Sequence, residues 1–252
     1  MSRSGVALGE ATPALEDPKP TGTRAREGGA EMFDSIARRY DLLNRVLSMG
    51  LDGGWRRKAI ALLRPEPGHV ILDLCTGTGD FGLATLETPG TQVIGLDVAR
   101  EMVRIARHKV RKRGLDQRFR LGLGDAESLP LADASVNGAT IAFGIRNVAD
   151  RPKALRELAR VIRPGGRLVI LEFGVPPNAL FRAGYFLYFR HILPVIGGIL
   201  SGNSDAYAYL PDSVRRFPGP DEFLGQCRAG GFASGAVRRL TGGIVNLYVC
   251  TR

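Results

Sequence analysis

Asp73, Asp97 and Asp125 each stand where a short apolar run gives way to a loop, and the first of them opens onto Thr76-Gly77-Thr78-Gly79-Asp80-Phe81-Gly82. Apolar runs that end in an acid and break into alternating glycines predict strand, tight turn and helix. Gly77 and Gly79 permit positive φ and close approach of a ligand, and the free amides of the next helix point at it. Gly77, Gly79 and Gly82 satisfy the G-x-G-x-x-G spacing of dinucleotide sites, a weak signal alone. Asp73 suggests another ligand, because a carboxylate there suits an ammonium group and sits poorly beside a pyrophosphate. A turn whose glycines serve packing only is the third reading. Asp97, eighteen residues beyond Gly79, weighs against it, since an acid at that distance accepts hydrogen bonds from ribose hydroxyls. Asp125, followed by Ala126, can accept one from an adenine amino group.

These acids need a scaffold that brings strand ends together. In doubly wound sheets ligands sit outside the carboxyl ends of the strands, so Asp73, Asp97 and Asp125 would converge. Three acids at three successive strand ends favour a cofactor bearing an ammonium and a sulfonium, S-adenosylmethionine. In this the chain resembles the class I S-adenosylmethionine-dependent methyltransferases. The expected fold is α/β: a doubly wound, mainly parallel, seven-stranded Rossmann-like sheet with N-terminal helices and an aromatic-rich helical insertion before the last strands.

The elements follow in order. Residues 1–30, rich in proline and glycine and without an aromatic residue, predict a disordered tail, and 31–252 a single domain. From Met32 to Leu47 the apolar residues recur at helical spacing, and a second helix begins at Trp55. That stripe reads first as core, yet Tyr40, Asp41, Asn44 and Trp55 carry polar tips and could roof a pocket. Strands are expected at Thr91–Asp97, Phe119–Leu123, Ser135–Phe143 and Arg167–Phe173, with Arg163-Pro164-Gly165-Gly166 as the turn before the last of these. Residues 175–216 interrupt the alternation with Phe181, Tyr185, Phe186, Tyr188, Phe189 and Ile192. This insertion is expected to form a cap, although enlarged core and a lipid-touching surface are open alternatives. A final strand pair follows at Ala236–Leu240 and Ile244–Cys250.

Composition narrows the function classes. A formal charge of +10 points to nucleic acid, an anionic membrane surface or a solvated basic face. Three scattered cysteines, Cys75, Cys227 and Cys250, fit neither a disulfide framework nor a metal site, and three histidines argue against a zinc enzyme. No metal is expected. Without a signal-like or long apolar run, a cytoplasmic protein is expected. A nucleic-acid methyltransferase lacks its motif here, because Phe143-Gly-Ile-Arg146 stands where an Asn/Asp-Pro-Pro-aromatic sequence would act on exocyclic amines.

Three segments carry a closer likeness. Tyr40-Asp41-Leu-Leu-Asn44-Arg-Val-Leu47-Ser48 with Trp55, Phe143-Gly144-Ile145-Arg146-Asn147-Val148, and Arg160-Val-Ile-Arg-Pro164-Gly165-Gly166 running to Glu172 resemble the quinone C-methyltransferases of menaquinone and ubiquinone synthesis. Asp52, Gly174 and Ala142 depart from that pattern, which usually has histidine, serine and serine there. The resemblance implies that Thr78, Asp97, Asp125 and Ala126 contact S-adenosylmethionine and that the substrate is a prenylated quinol: 2-demethylmenaquinol, with the benzoquinol of ubiquinone synthesis as runner-up. Arg146 is then expected to stabilise a quinol oxyanion or orient a water that takes the proton, and Asn147 to hold a quinol oxygen, against the plainer readings of a surface or helix-capping arginine and a helix N-cap. Tyr40 is a further catalytic candidate, and Asn44, Trp55, Tyr185, Phe189 and His191 complete the expected substrate pocket. Transient contact with the inner face of an anionic membrane and self-association as a homodimer are the remaining expected partners; nucleic acid is not.

Overall fold

Aliphatic and β-branched residues fill the strands of one seven-stranded sheet, covered on both faces as such runs require. The computed structural model describes Asp34, Ala37 and residues 40–188 and 205–252. Its strands are β1 (Val70–Leu74), β2 (Gln92–Asp97), β3 (Phe119–Leu123), β4 (Val136–Ala142), β5 (Ile162–Phe173), β6 (Ser234–Leu240) and β7 (Val245–Thr251), in the order β3-β2-β1-β4-β5-β7-β6. β1 to β5 run parallel, and β7 enters antiparallel between β5 and β6. The chain winds outward from β1 to β3 and then returns to β4 on the other side of β1. The order therefore reverses between β1 and β4, the place where open sheets of this type bind ligands.

The helices are α1 (Tyr40–Leu47), α2 (Asp52–Leu63), α3 (Asp80–Thr85), α4 (Arg100–Lys112), α5 (Arg151–Val161), α6 (Ala179–Leu187), α7 (Asp205–Arg216) and α8 (Pro220–Ala229). Trp55, Ala59 and Leu63 of α2 and Phe81 of α3 pack on one face of the sheet against Ile71, Val169 and Leu247. Leu155 and Leu158 of α5 and Phe223 and Leu224 of α8 cover the other face. From the stretch expected to form an inserted cap, α6 and α7 bring Tyr185, Leu210 and Val214 against Ala99 and Met102 at the start of α4.

One boundary differs materially from the sequence reading. Arg163-Pro164-Gly165-Gly166 does not separate helix from strand: α5 ends at Val161, and β5 starts at Ile162 and runs through the four residues. Ile162 pairs with Val136, and the register against β4 then shifts before Gly138 meets Arg167. This is a bulge, which admits residues that would break a regular ladder. Gly165 adopts φ +78°, and a Cβ at Gly166 would lie 2.7 Å from the carbonyl of Asn137.

Candidate active site

At the end of β1, Asp73 is buried and turned into the protein. Its Oδ2 accepts from the Thr76 hydroxyl at 2.6 Å and from the Gly82 amide at 3.0 Å, while Oδ1 accepts from the Thr140 hydroxyl at 2.8 Å. The carboxylate thus ties both ends of the glycine turn to β4. Burial raises its pKa from the ordinary 3.8 to about 6, with the three hydrogen bonds pulling the other way. A carboxyl shifted upward on folding binds its proton more tightly in the native state than in the unfolded one. Its contribution to stability is complete below about pH 4 and disappears as pH rises through 6, a span worth on the order of 3 kcal/mol. Thermal unfolding of wild type and Asp73→Asn between neutral pH and the acid side of this window checks this. The wild type should gain on the variant as pH falls, and a constant difference would contradict the burial of a charged carboxylate.

The turn itself holds Cys75, Gly77 and Gly79 at positive φ. Asp97, half-buried at the end of β2, accepts from the Gly77 amide at 2.8 Å and from the Ala99 amide at 2.9 Å, one on each oxygen. Burial pushes its pKa up and these amides oppose the shift. The Val98 amide adds a third hydrogen bond, which leaves the carboxylate with capacity for one further donor. Asp125 shapes the loop after β3 by accepting from the Glu127 amide at 2.9 Å, with Ala126 buried beside it. Thr78 is buried as well, and its hydroxyl donates to Asp41 of α1. Lys109 of α4 bridges Asp41 and Asp80. The N-terminal helix is thereby fastened to the glycine turn by a residue pair that sequence spacing could not reveal.

Beyond β4 the backbone turns sharply. Phe143 adopts φ +56°, and a Cβ on Gly144 would sit 2.4 Å from Cβ of Cys75, so only glycine lets the two turns meet. Ile145–Asn147 form a single 3-10 turn, closed by the Asn147 amide donating to the carbonyl of Gly144 at 3.0 Å. Arg146 is 8% exposed and forms an ion pair with Glu172 of β5, Nη1 to Oε1 at 2.7 Å. Its guanidinium lies 5.4 Å from the centroid of the Phe173 ring. The Nε atom is buried and has no hydrogen-bond partner within the protein.

Phe173 leads to a cavity of about 680 Å³ between the N-terminal helices and α6, within the range of small-molecule sites. Its lining is mostly apolar and includes Met49, Trp55, Phe181, Tyr185, Tyr188 and Ile244. Trp55 is fixed by donating from Nε1 to the Thr241 hydroxyl at 2.9 Å, and its ring meets Phe143, which in turn packs 4.5 Å from Phe173. The cavity therefore lies beside the carboxyl ends of β4 and β5, across the switch point from Asp97 and Asp125. Of the expected pocket residues, Trp55 and Tyr185 line it. Asn44 lies on α1 outside the lining, the backbone of Tyr40 begins α1, and Phe189 and His191 fall outside the described residues, as does the expected tail at 1–30.

Residues 23–252 match the ubiE/COQ5 methyltransferase family. The chain belongs to that family. Among its relatives, the demethylmenaquinone methyltransferase of Deinococcus radiodurans is 47% identical over 93% of this chain and 97% of its own. That of Thermus thermophilus is 49% identical over 88% of this chain and all of its own, and the ubiquinone/menaquinone biosynthesis C-methyltransferase UbiE of Geotalea uraniireducens 47% over 87% and 94%. Solved structures share the fold at much lower identity. A SAM-dependent methyltransferase from Thermotoga maritima aligns with TM-score 0.61 at 20% identity, covering 88% of this chain and 98% of that one. The cyclase SpnF aligns with TM-score 0.62 at 20% identity, covering 88% and 78%, which shows how little the fold alone says about chemistry.

Within a ubiE/COQ5 member, the two departures in the signatures have local causes. A Cβ at Gly174 would meet the amide nitrogen of Asn246 at 2.4 Å, so a serine there requires Asn246 to move. Asp52 accepts from the Ser48 hydroxyl at 3.0 Å and pairs with Arg56, which closes the turn between α1 and α2. Nothing in the structure explains Ala142. Sequence reasoning passed over Glu172, Thr241 and the Asp41–Thr78 pair. Only Glu172 left a signal: an acid inside the otherwise apolar run Leu168–Phe173 has to find a buried partner.

Proposed function

We propose that this chain methylates a ring carbon of a prenylated quinol with S-adenosylmethionine as donor, and that 2-demethylmenaquinol is the substrate. The observation that carries the reading is the apolar cavity of about 680 Å³ beside the carboxyl end of β5, whose wall residue Phe173 packs against the guanidinium of buried Arg146, in a chain of this family. Two of the relatives above bear the name demethylmenaquinone methyltransferase. The third is named for both quinones, which keeps the benzoquinol of ubiquinone synthesis as runner-up.

The residues at the ends of β1 to β3 fit the donor chemically. Asp97 offers a lone pair for a ribose hydroxyl, Asp125 with Ala126 flanks the base position, and Gly77 and Gly79 allow close backbone approach beside Thr78. Asp73 takes its part by holding that turn in shape. When bound, S-adenosylmethionine supplies an electrophilic methyl group and a neutral thioether as leaving group. The protein's work is then on the acceptor. A ring carbon becomes nucleophilic once a neighbouring hydroxyl, of pKa about 10 in water, loses its proton. Arg146 can stabilise the resulting oxyanion with its positive charge, and Asn147 can hold the second oxygen. Tyr40, at the start of α1, is the third residue assigned to the acceptor. Alignment of the two reactants contributes on the order of 7–11 kcal/mol in such reactions.

An apolar tail is accommodated by the same cavity, at about 0.8 kcal/mol for each buried methylene. Leu180, Phe181 and Leu187 of α6 and Met49 stand 84%, 42%, 62% and 71% exposed, three of them lining the cavity. With a net charge of +10, basic side chains near an anionic leaflet add roughly 1 kcal/mol apiece. Among the described residues no helix is long and apolar enough to cross a membrane, so the proposed contact is with the surface. Labelled methyl from the donor should enter a quinol-containing lipid extract and not RNA. Quinols with long tails should outperform truncated ones, and anionic vesicles should bind the protein at low salt. Labelling of RNA would overturn the reading, and indifference to tail length and vesicles would return these exposed apolar residues to a packing role.

A further inference from the structure

We propose that Glu172 is a positioning residue for the methyl transfer: it holds Arg146 against Phe173 of the cavity wall and neutralises it, so that a buried pair, not a bare cation, sets the acidity of the bound quinol. The inference rests on the assignment of Arg146 to the quinol side. Glu172 lies at the end of β5 and is fully buried. Oε1 accepts from Arg146 Nη1 at 2.7 Å and from the Phe173 amide at 2.9 Å, and Oε2 accepts from the Arg146 amide at 3.2 Å. One carboxylate thus grips both the side chain and the main chain of the turn after β4. Nη1 also donates to the carbonyl of Phe143, so two acceptors of the protein fix the guanidinium in place.

The electrostatics of the cluster make the role testable. The field of Glu172 reaches Cys75 in the glycine turn, Tyr185 on α6 and Tyr248 on β7; Tyr185 also lies in the field of Arg146, and Cys75 in those of Asp97, Asp73 and Asp125. Burial pushes the thiol and both phenols upward, so they stay neutral at working pH. Arg146 and Glu172 therefore face each other as an ion pair among neutral thiol and phenol groups, with the strand-end acids beyond Cys75. Replacing Glu172 by glutamine leaves one uncompensated positive charge beside the quinol oxygen, and such a charge favours the anion.

Glu172→Gln should lower kcat about a hundredfold, the cost of letting a catalytic group drift by an ångström. In the same variant the alkaline rise of the rate should move to lower pH by about one unit. KM for the quinol and affinity for S-adenosylhomocysteine should change little. Glu172→Asp keeps the charge and should restore the position of the pH profile while leaving part of the kcat defect; it carries the test where the glutamine variant does not fold. Glu157→Gln, which loses an ion pair with Arg160 on α5 away from the site, should cost stability without moving the profile. The double variant Arg146→Ala with Glu172→Gln should turn over no more slowly than Arg146→Ala alone, yet melt higher, because the acid is no longer left buried without its partner. Additive kcat losses in the double variant, or an unmoved pH profile in Glu172→Gln, would overturn the proposal while leaving Arg146 in place. Full turnover by Arg146→Ala would instead overturn the assignment on which it rests.

Discussion

Arg146→Ala should reduce turnover by about 10²–10³-fold, the effect of deleting one preorganised donor to a developing oxyanion. Affinity for S-adenosylhomocysteine should stay near that of the wild type, because Arg146 lies at the end of β4, across the switch point from Asp97 and Asp125. The variant also leaves Glu172 buried without its cation, and breaking a buried pair in this way destabilises by about 3–5 kcal/mol. A melting curve must therefore accompany the kinetics, with assays well below the midpoint. Arg146→Lys should recover part of the rate only. Lysine restores the charge but cannot reproduce the planar guanidinium that packs on Phe173 while meeting Glu172 and the Phe143 carbonyl. Single-turnover rates at saturating cofactor, set beside calorimetric titration with S-adenosylhomocysteine, decide the matter. Intact turnover with collapsed cofactor affinity would place Arg146 on the wrong ligand.

Asp97→Ala should show the opposite division. Loss of a charge-assisted hydrogen bond to a ribose hydroxyl costs roughly 1.5–3 kcal/mol, or about one to two orders of magnitude in dissociation constant. The structure adds a second source of loss, since Asp97 also holds the amides of Gly77 and Ala99. Without it the glycine turn loses an anchor that fixes its shape before the ligand arrives. Asp97→Asn should fall between, because its carbonyl oxygen can keep one of those amides but its NH₂ group opposes the other. Titration with S-adenosylhomocysteine measures the effect, and the quinol KM at saturating donor should barely change. An unaltered dissociation constant would remove Asp97 from the cofactor site.

The two variants separate because the residues they alter lie on opposite sides of the point where the strand order reverses. That arrangement was legible in outline from the chain. Apolar runs ending in Asp73 and Asp97, the glycines between them and the return to Phe143 are local patterns, and each predicts its own strand or turn without reference to distant residues. The bulge in β5 was not legible. Pro164 and two glycines have the composition of a turn, yet Gly165 and Gly166 exchange backbone hydrogen bonds with Arg252 beyond the end of β7 and stay in the sheet. Asp73 shows the same limit in a functional residue. Its place at a strand end suggested a ligand contact, yet its oxygens are engaged by Thr76, Gly82 and Thr140.

By itself the sequence determined which residues stand at the strand ends, because strand and helix periodicities are set by neighbours a few positions apart. It determined the glycine turn for the same reason, since the freedom to adopt positive φ belongs to the residue. What each side chain does there was decided only by tertiary structure. Glu172 meets Arg146 across 26 positions, Trp55 meets Thr241 across 186, and Asp41 meets Thr78 across 37. These partnerships exist because a parallel sheet returns the chain to the same edge after every crossover and places successive loops side by side. A buried polar atom must then take a partner from whatever loop has arrived beside it, and no spacing along the chain encodes which loop that will be.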